Sequence, residues 1–146
     1  MNGINEIDAA DVIRQRQVAG KATLGICIGM QILFSDGLEH GKHKGIGMWN
    51  GSIDALDAPI LPHMGWNTLH SISDHPLLRG FSVTDYVYFV HSFAVAPDKY
   101  SLAQCHHGND FAAVIGKDNV AGAQFHPERS GKTGARLLQN FLEWQL

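Results

Sequence analysis

A cysteine between two glycines is the feature of this sequence with the clearest capacity for chemistry. The pattern is Gly25-Ile26-Cys27-Ile28-Gly29, with an apolar run before it and the helix-like run 30–34 after it. A nucleophile at a sharp strand-to-helix turn needs small neighbours, because the backbone crowds there. The helix start favours the thiolate, and the backbone N–H of Ile28 faces the place where an oxyanion would form. The pattern predicts a nucleophilic cysteine; the alternative is a packed core cysteine, since cysteines are often buried.

A histidine and a carboxylate lie two residues apart far downstream, in Phe125-His126-Pro127-Glu128. Pro127 favours extended backbone at His126, and residues two apart on an extended segment point to the same side. Glu128 can therefore orient the imidazole. A cysteine, a distant histidine and a carboxylate beside it form the nucleophile, base and orienting group of covalent catalysis. The alternative is a surface histidine in a turn, which the cysteine motif disfavours.

These motifs together resemble the class I, triad-type glutamine amidotransferases. The resemblance is carried by Cys27 with Met30-Gln31 after it, and by Gln124-Phe125-His126-Pro127-Glu128. Three further segments are similar to the glutaminase subunits of imidazole glycerol phosphate synthases. They are Pro62-His63-Met64-Gly65-Trp66-Asn67, Tyr88-Phe89-Val90-His91-Ser92-Phe93 and His126-Pro127-Glu128-Arg129-Ser130-Gly131.

The resemblance implies an α/β fold, a mixed sheet flanked by helices that lacks the family's usual N-terminal strands. It implies that Cys27 attacks the side-chain carboxamide of L-glutamine, with His126 as base and Glu128 holding His126. Ammonia leaves, and water hydrolyses the glutamyl thioester to glutamate. The positions that match glutamine-binding residues are Ile28, Gln31, Glu39, His91, Ser92 and Phe93. No cofactor and no metal are implied.

The resemblance also implies a partner, a cyclase subunit built as a (β/α)8 barrel, which uses the ammonia in histidine biosynthesis. The positions that match the partner interface and ammonia gate are His63, Met64, Trp66, Asn67, Tyr88 and Arg129. Composition alone would place Trp66 and Tyr88 in the core, so their interface role rests on the resemblance. Arg129 stands where lysine is frequent and keeps the charge with a fork geometry. Phe93 stands where tyrosine is frequent and lacks the hydroxyl.

The family begins with strands and a helix before the region that matches Met1, including a Pro-Gly-x-Gly loop beside the active site. Nothing in 1–17 resembles this loop, so we expect one amidotransferase domain, 1–146, incomplete at its N-terminus. Three functions stay open: a glutaminase acting with a cyclase, another class I amidotransferase or γ-glutamyl hydrolase, and a fragment that keeps only partner binding. The His-Met-Gly-Trp-Asn segment favours the first over the second.

Composition excludes several other classes of protein. The formal net charge of -3 argues against a nucleic-acid footprint, and no apolar run approaches a membrane span. Two cysteines, Cys27 and Cys105, give no disulfide framework and fit a reducing cytoplasm. The triplet Cys105-His106-His107 invites a metal site, but neighbours on a strand point to opposite faces and converge poorly on one ion.

The elements that must position these groups follow from the hydrophobic pattern. Helices are predicted over 8–18, which Gly20 ends, and after Ser130 as a cap, with Leu137, Leu138, Phe141 and Leu142 facing the core. The polar run 35–44 predicts a loop. Strands are predicted over 22–26, 66–71, 86–93, 102–105, 111–115 and 120–124. The strand 22–26 would be an apolar sheet edge, from which we expect marginal stability or self-association.

Overall fold

The helices and strands are given by a computed structural model, which describes residues 9–144. In that range the helices are α1 (Ala9–Val18), α2 (Ile28–Gln31) and α3 (Gly131–Glu143), and two 3-10 turns span Pro76–Leu78 and Pro127–Arg129. The strands are β1 (Thr23–Ile26), β2 (Phe34–Gly37), β3 (His43–Lys44), β4 (Trp49–Ala55), β5 (His63–Thr68), β6 (Tyr86–His91), β7 (Phe93–Ala94), β8 (Ser101–His107), β9 (Asn109–Lys117) and β10 (Val120–Ala123).

The strands form two four-stranded sheets and one two-stranded ribbon. The first sheet has the order β1-β10-β9-β8, in which β1 runs parallel to β10 and the other neighbours are antiparallel. The second has the order β3-β2-β4-β7, and β5 pairs with β6 as the antiparallel ribbon. This is the mixed α/β architecture with flanking helices that the sequence predicted.

The first sheet is covered on both faces, which is why β10 and the central part of β9 are apolar and buried. Strand β9 gives Phe111 and Ala113 to one hydrophobic cluster, which also holds Phe89 of β6 and Leu137 of α3. It gives Ala112 and Ile115 to a second cluster, formed with residues of α2, β2 and β4 that include Met30, Leu33 and Phe34. The Cys27 and His126 segments therefore stand at the end of a strand pair packed on both sides.

The polar run 35–44 was predicted as a loop, which is confirmed for 38–42 and wrong for 35–37 and 43–44. Strands β2 and β3 pair there as an antiparallel hairpin, with Asp36 opposite Lys44 and Gly37 opposite His43. Strand β2 also pairs with β4 on its other side, and this backbone pairing stabilises a strand that the polar side chains do not predict.

The two terminal helices are confirmed, with differences in their contacts. Helix α1 ends before Gly20, which has a φ of 68°, and Asp8 of the predicted helix lies outside the described residues. Ser130 is the N-cap residue of α3, but its hydroxyl makes no cap hydrogen bond. Leu142 is 83% exposed rather than buried, and Asn140 takes an inward position. No helix within 9–144 has the length and apolar character to cross a bilayer.

Strand β1 is a sheet edge in the described part of the chain, since it pairs only with β10. We expect the 146-residue chain to self-associate through this edge, so that the mass measured by light scattering rises with concentration. A charge on the edge, Thr23→Glu, should lower that rise, because charged side chains disfavour edge-to-edge pairing. The matched control is Thr84→Glu, which places the same charge at an exposed position away from β1. A monomer at every concentration would contradict the expectation.

Candidate active site

Cys27 occupies the sharp turn between β1 and α2. Its backbone has φ 50° and ψ -111°, a conformation that costs a residue with a side chain about 1–3 kcal/mol. The surrounding hydrogen bonds hold it there: the Cys27 N–H donates to the Ala123 carbonyl at 2.7 Å, and the Cys27 carbonyl accepts from Met30 and Gln31 at 3.0 and 3.1 Å. Cys27 therefore has the strained strand-to-helix geometry that the motif predicted.

The two glycines around Cys27 have different roles. A Cβ on Gly25 would fall well inside contact distance of the Gly29 carbonyl, so the turn can close only over glycine there. A Cβ on Gly29 would meet nothing within 4 Å in the described structure. The prediction that crowding requires small residues is confirmed for Gly25 and wrong for Gly29.

His126 and Glu128 form the predicted pair. The imidazole Nδ1 lies 2.7 Å from Glu128 Oε1. Because a carboxylate only accepts, Nδ1 carries the hydrogen and Nε2 of the neutral ring is left with its lone pair. Nε2 is buried and has no hydrogen-bond partner among the described residues. The ring is thus held in the tautomer that can take a proton at Nε2.

Strand β6 lies against both the Cys27 side chain and the His126 backbone. Strands β1 and β10 are parallel neighbours, with Ile26 opposite Ala123. Cys27 and His126 therefore both follow the carboxyl ends of their strands, at the same end of the sheet. The Cys27 Sγ lies 4.0 Å from the Val90 carbonyl, and the His126 N–H donates to the Tyr88 carbonyl at 2.9 Å. Two residues along a strand span about 6.8 Å, so the two groups lie beside the same short stretch of β6. No hydrogen bond joins the two groups, since Nε2 of His126 is without a partner among the described residues.

Burial dominates the electrostatics of Cys27. It raises the pKa of the thiol, and hydrogen bonds from the Ile28 N–H and the Gln124 amide lower that pKa without compensating for burial. The charge of Glu128 raises it further. The expectation that the helix start alone would favour the thiolate is therefore corrected, since α2 has only four residues. A base is needed to ionise this cysteine.

A cavity of about 190 Å³ opens beside the sulfur. Its walls contain Cys27 and Val90. They also contain every residue that was predicted to bind the substrate, namely Ile28, Gln31, Glu39, His91, Ser92 and Phe93. A neighbouring cavity of about 230 Å³ shares Ile28, Gln31 and Glu39 with it. A larger space of about 740 Å³ lies elsewhere, along 72–83, and contains none of these groups. The cavity at Cys27 is smaller than the roughly 300–1,000 Å³ sites of drug-sized ligands and suits an amino acid.

Two residues of the site were missed from the sequence. Val90 lines the cavity, and the Gln124 amide contacts the sulfur at 3.6 Å. Gln124 had a usable signal, since it is a polar residue at the end of an apolar strand and two positions before His126. Val90 had none, because an apolar residue inside a strand is the ordinary case.

Behind the cavity, two histidines form a buried hydrogen-bonded chain. The His91 Nδ1–H donates to the Phe93 carbonyl at 3.0 Å, so the His91 Nε2 accepts from His63 Nδ1–H, also at 3.0 Å. The Asn67 amide donates to the other nitrogen of His63 at 3.2 Å. Every ring nitrogen thus has a partner with both rings neutral. Burial is the main cause that lowers the pKa of His63 to about 3 and that of His91 to about 4.

The residues predicted to face a partner divide between two sides of β5. Met64 and Trp66 point outward, 62% and 55% exposed. Trp66 contacts the Tyr88 ring edge-on, with 5.8 Å between centroids, and the Arg129 guanidinium lies 4.3 Å above the Tyr88 ring. His63 and Asn67 point inward, because side chains alternate along a strand, and an interface or gate role at these two positions stays a prediction.

Cys105 and His106 point to opposite sides of β8, as the strand pattern predicted. Cys105 is fully buried and His106 is exposed, with its Nδ1 2.7 Å from Asp110. Across the described part of the chain, no group of three or more His, Cys, Asp or Glu residues could hold a metal ion.

Iodoacetamide should distinguish the two thiols. Cys27 is partly exposed at a cavity, whereas Cys105 is fully buried and burial raises its pKa to about 12. We expect the folded chain to be alkylated at Cys27 at least about tenfold faster than at Cys105, measured by peptide mass spectrometry. In urea the two rates should converge, which is the control. Equal rates in the folded chain would contradict the geometry.

Acid should destabilise the fold through His63 and His91. Their folded pKa values lie below the unfolded value of 6.5, so the unfolded chain binds more protons between pH 6.5 and about 4. The free energy of unfolding, measured in urea at pH 7, 6 and 5, should fall by up to about 1.4 kcal/mol per pH unit for each histidine. The double variant His63→Gln/His91→Gln should show a flatter dependence, and His43→Gln, at an exposed position, should not. The same slope in all three chains would count against buried neutral histidines.

Comparison with known proteins agrees with this geometry. The family model described as glutamine amidotransferase class-I matches residues 3–144. The imidazole glycerol phosphate synthase subunit HisH of Desulfitobacterium hafniense (strain DSM 10664 / DCB-2) is 48% identical over 129 residues, which are 86% of this chain and 61% of that protein. The subunit HisH 1 of Vibrio vulnificus (strain YJ016) is 42% identical over 151 residues, covering 98% of this chain and 72% of that protein.

The fold is also similar to that of a solved structure. A solved structure described as a crystal structure of glutamine amidotransferase superposes with a TM-score of 0.70 at 19% identity, covering 96% of this chain and 69% of the other. That likeness concerns the fold alone. The chain spans 61% of the length of the Desulfitobacterium relative. On the family match and the identity to HisH subunits, the chain belongs to the class I glutamine amidotransferase family.

Proposed function

We propose that this chain is a glutaminase of the HisH type, which releases ammonia from L-glutamine for a cyclase subunit. The observation that carries the proposal is the cavity of about 190 Å³ at Cys27, whose walls bring together all six predicted substrate-binding residues. Those residues come from α2, the turn after β2, and the segment from β6 to β7. Residues so far apart in sequence meet in one small cavity beside a strained nucleophile, which supports a substrate site over a structural cysteine.

The reaction begins with a proton transfer. Burial keeps the Cys27 thiol protonated at rest, and the lone pair of His126 Nε2 accepts its proton while Glu128 stabilises the imidazolium. The sulfur attacks the carboxamide carbon, and the C–N bond breaks as the protonated His126 returns its proton to the leaving ammonia. Water then attacks the thioester, giving glutamate and the free thiol.

The substrate would be held by groups that line the cavity. The Ile28 N–H acts to lower the pKa of the Cys27 thiol, so it lies close enough to the sulfur to serve an oxyanion formed there. Glu39 is an exposed residue that also lines the cavity and offers a carboxylate to the substrate ammonium. Residues 91–93 complete the lining.

The exposed aromatic patch beside the site supports a partner interface. Met64, Trp66, Tyr88 and Arg129 form this patch, and aromatic, methionine and arginine side chains are enriched at interfaces. Tyr88 connects it to the active site, since its carbonyl accepts from the His126 N–H. We infer that a (β/α)8-barrel cyclase docks here and receives the ammonia, in the cytoplasm. The names of the relatives, subunits of imidazole glycerol phosphate synthase, support a partner subunit.

Glutamate release from glutamine tests the proposal. We expect turnover with the cyclase subunit and its nucleotide substrate present, and little without them. Cys27→Ala should abolish turnover while complex formation, measured by size exclusion, survives. Cys105→Ala is the matched control and should keep the activity, because Cys105 lies in the core. Unchanged turnover in Cys27→Ala would refute the mechanism, and complex formation without turnover in the original chain would reduce the function to partner binding.

A further inference from the structure

Gln124 is a buried carboxamide that contacts the Cys27 sulfur. Its side chain is 0% exposed and follows directly after β10. A buried carboxamide needs partners for both its N–H bonds and its oxygen, or burial destabilises the fold. The partners of Gln124 are two residues of the proposed substrate site, Cys27 and Gln31.

The direction of each hydrogen bond follows from one backbone carbonyl. The Gln31 amide faces the Phe93 carbonyl at 3.0 Å, and since a carbonyl only accepts, the group that faces it is the Gln31 NH₂. The same NH₂ lies 3.1 Å from the Gln124 amide, so it meets the Gln124 oxygen. The Gln124 NH₂ therefore faces the Cys27 sulfur, 3.6 Å away.

The opposite orientation of these amides is excluded by the same groups. Turning Gln31 over would place its oxygen against the Phe93 carbonyl, two acceptors without a hydrogen between them. That carbonyl also accepts from His91 Nδ1–H at 3.0 Å. The donor that reaches the sulfur is thus fixed by the backbone between β6 and β7.

We propose that Gln124 is a positioning residue of the glutaminase reaction, which donates to the Cys27 sulfur and holds the Gln31 amide in one orientation. The proposal rests on the function proposed above. A donor aimed at sulfur binds the thiolate more strongly than the thiol, so it favours proton transfer to the histidine. The hydrogen bond from Gln124 also acts to lower the pKa of Cys27, against the effect of burial.

The second effect concerns the substrate. Both N–H bonds of the Gln31 amide are used inside the protein, so a ligand in the cavity can meet only its carbonyl oxygen. An acceptor selects a ligand with an N–H donor, and the ammonium and carboxamide NH₂ of glutamine both qualify. Gln124 therefore helps to determine which chemical groups the cavity accepts.

The test is the pH dependence of Cys27 alkylation by iodoacetamide in the Cys105→Ala background. Gln124→Met keeps the approximate size of the side chain and removes its donor, so the midpoint should rise by about one pH unit, which is about tenfold slower alkylation at pH 7. Gln124→Glu adds a negative charge beside the sulfur and should raise the midpoint at least as much. If the Gln124 variants do not fold, Gln31→Met tests the same hydrogen bond. It removes the amide that holds the Gln124 side chain, so the alkylation midpoint should again rise.

The matched control is Asn140→Leu. Asn140 is a buried carboxamide in α3 that donates to the Leu77 and Arg79 carbonyls, away from Cys27. It should lower the melting temperature without moving the alkylation midpoint. A midpoint within about 0.3 pH unit of the parent in the folded variants would overturn the proposal. Alkylation needs no turnover, so a chain inactive toward glutamine would contradict the proposed function and leave this result interpretable.

Discussion

The hydrogen bond from the Cys27 N–H to the Ala123 carbonyl is the contact on which the site depends. It extends the parallel pairing of β1 and β10 by one residue and brings the nucleophile out of the sheet at the point where the second strand also ends. The strained backbone of Cys27 is tolerable because the pairing holds one side of the turn and the carbonyl contacts with Met30 and Gln31 hold the other. His126 lies three residues beyond Ala123, so it leaves β10 at the same end of the sheet.

The resting site avoids charge at its centre. Burial raises the pKa of Cys27 and lowers the pKa of His63 and His91, so thiol and imidazoles are neutral near pH 7. The carboxylates, Glu128 and Glu39, remain at exposed positions where water solvates them. A negative charge therefore develops on the buried sulfur only when the thiol proton moves to His126. The donors around the sulfur are already in place and stabilise that charge without rearrangement.

The sequence predicted the site better than the elements around it. Gly-x-Cys-x-Gly and His-x-Glu each encode a local geometry, and local geometry is what a short motif can determine. The β2–β3 hairpin was missed because its order comes from pairing with β4, a contact distant in sequence. The direction of the His63 side chain was not predicted, because it depends on where β5 begins, which a residue name does not give. Gln124 was missed because its role is defined by two partners, Cys27 and Gln31, that lie far away in the sequence.

The Phe93 carbonyl has a consequence for how this site can vary among sequences. It accepts from both Gln31 and His91, and it belongs to the main chain. Every amino acid offers the same carbonyl, so exchange of the Phe93 side chain, with or without a hydroxyl, leaves this junction in place. Substitution at position 93 can therefore change the wall of the cavity and keep the hydrogen bonds to the main-chain carbonyl. The orientation of the Gln31 amide depends on that carbonyl, which a substitution does not remove.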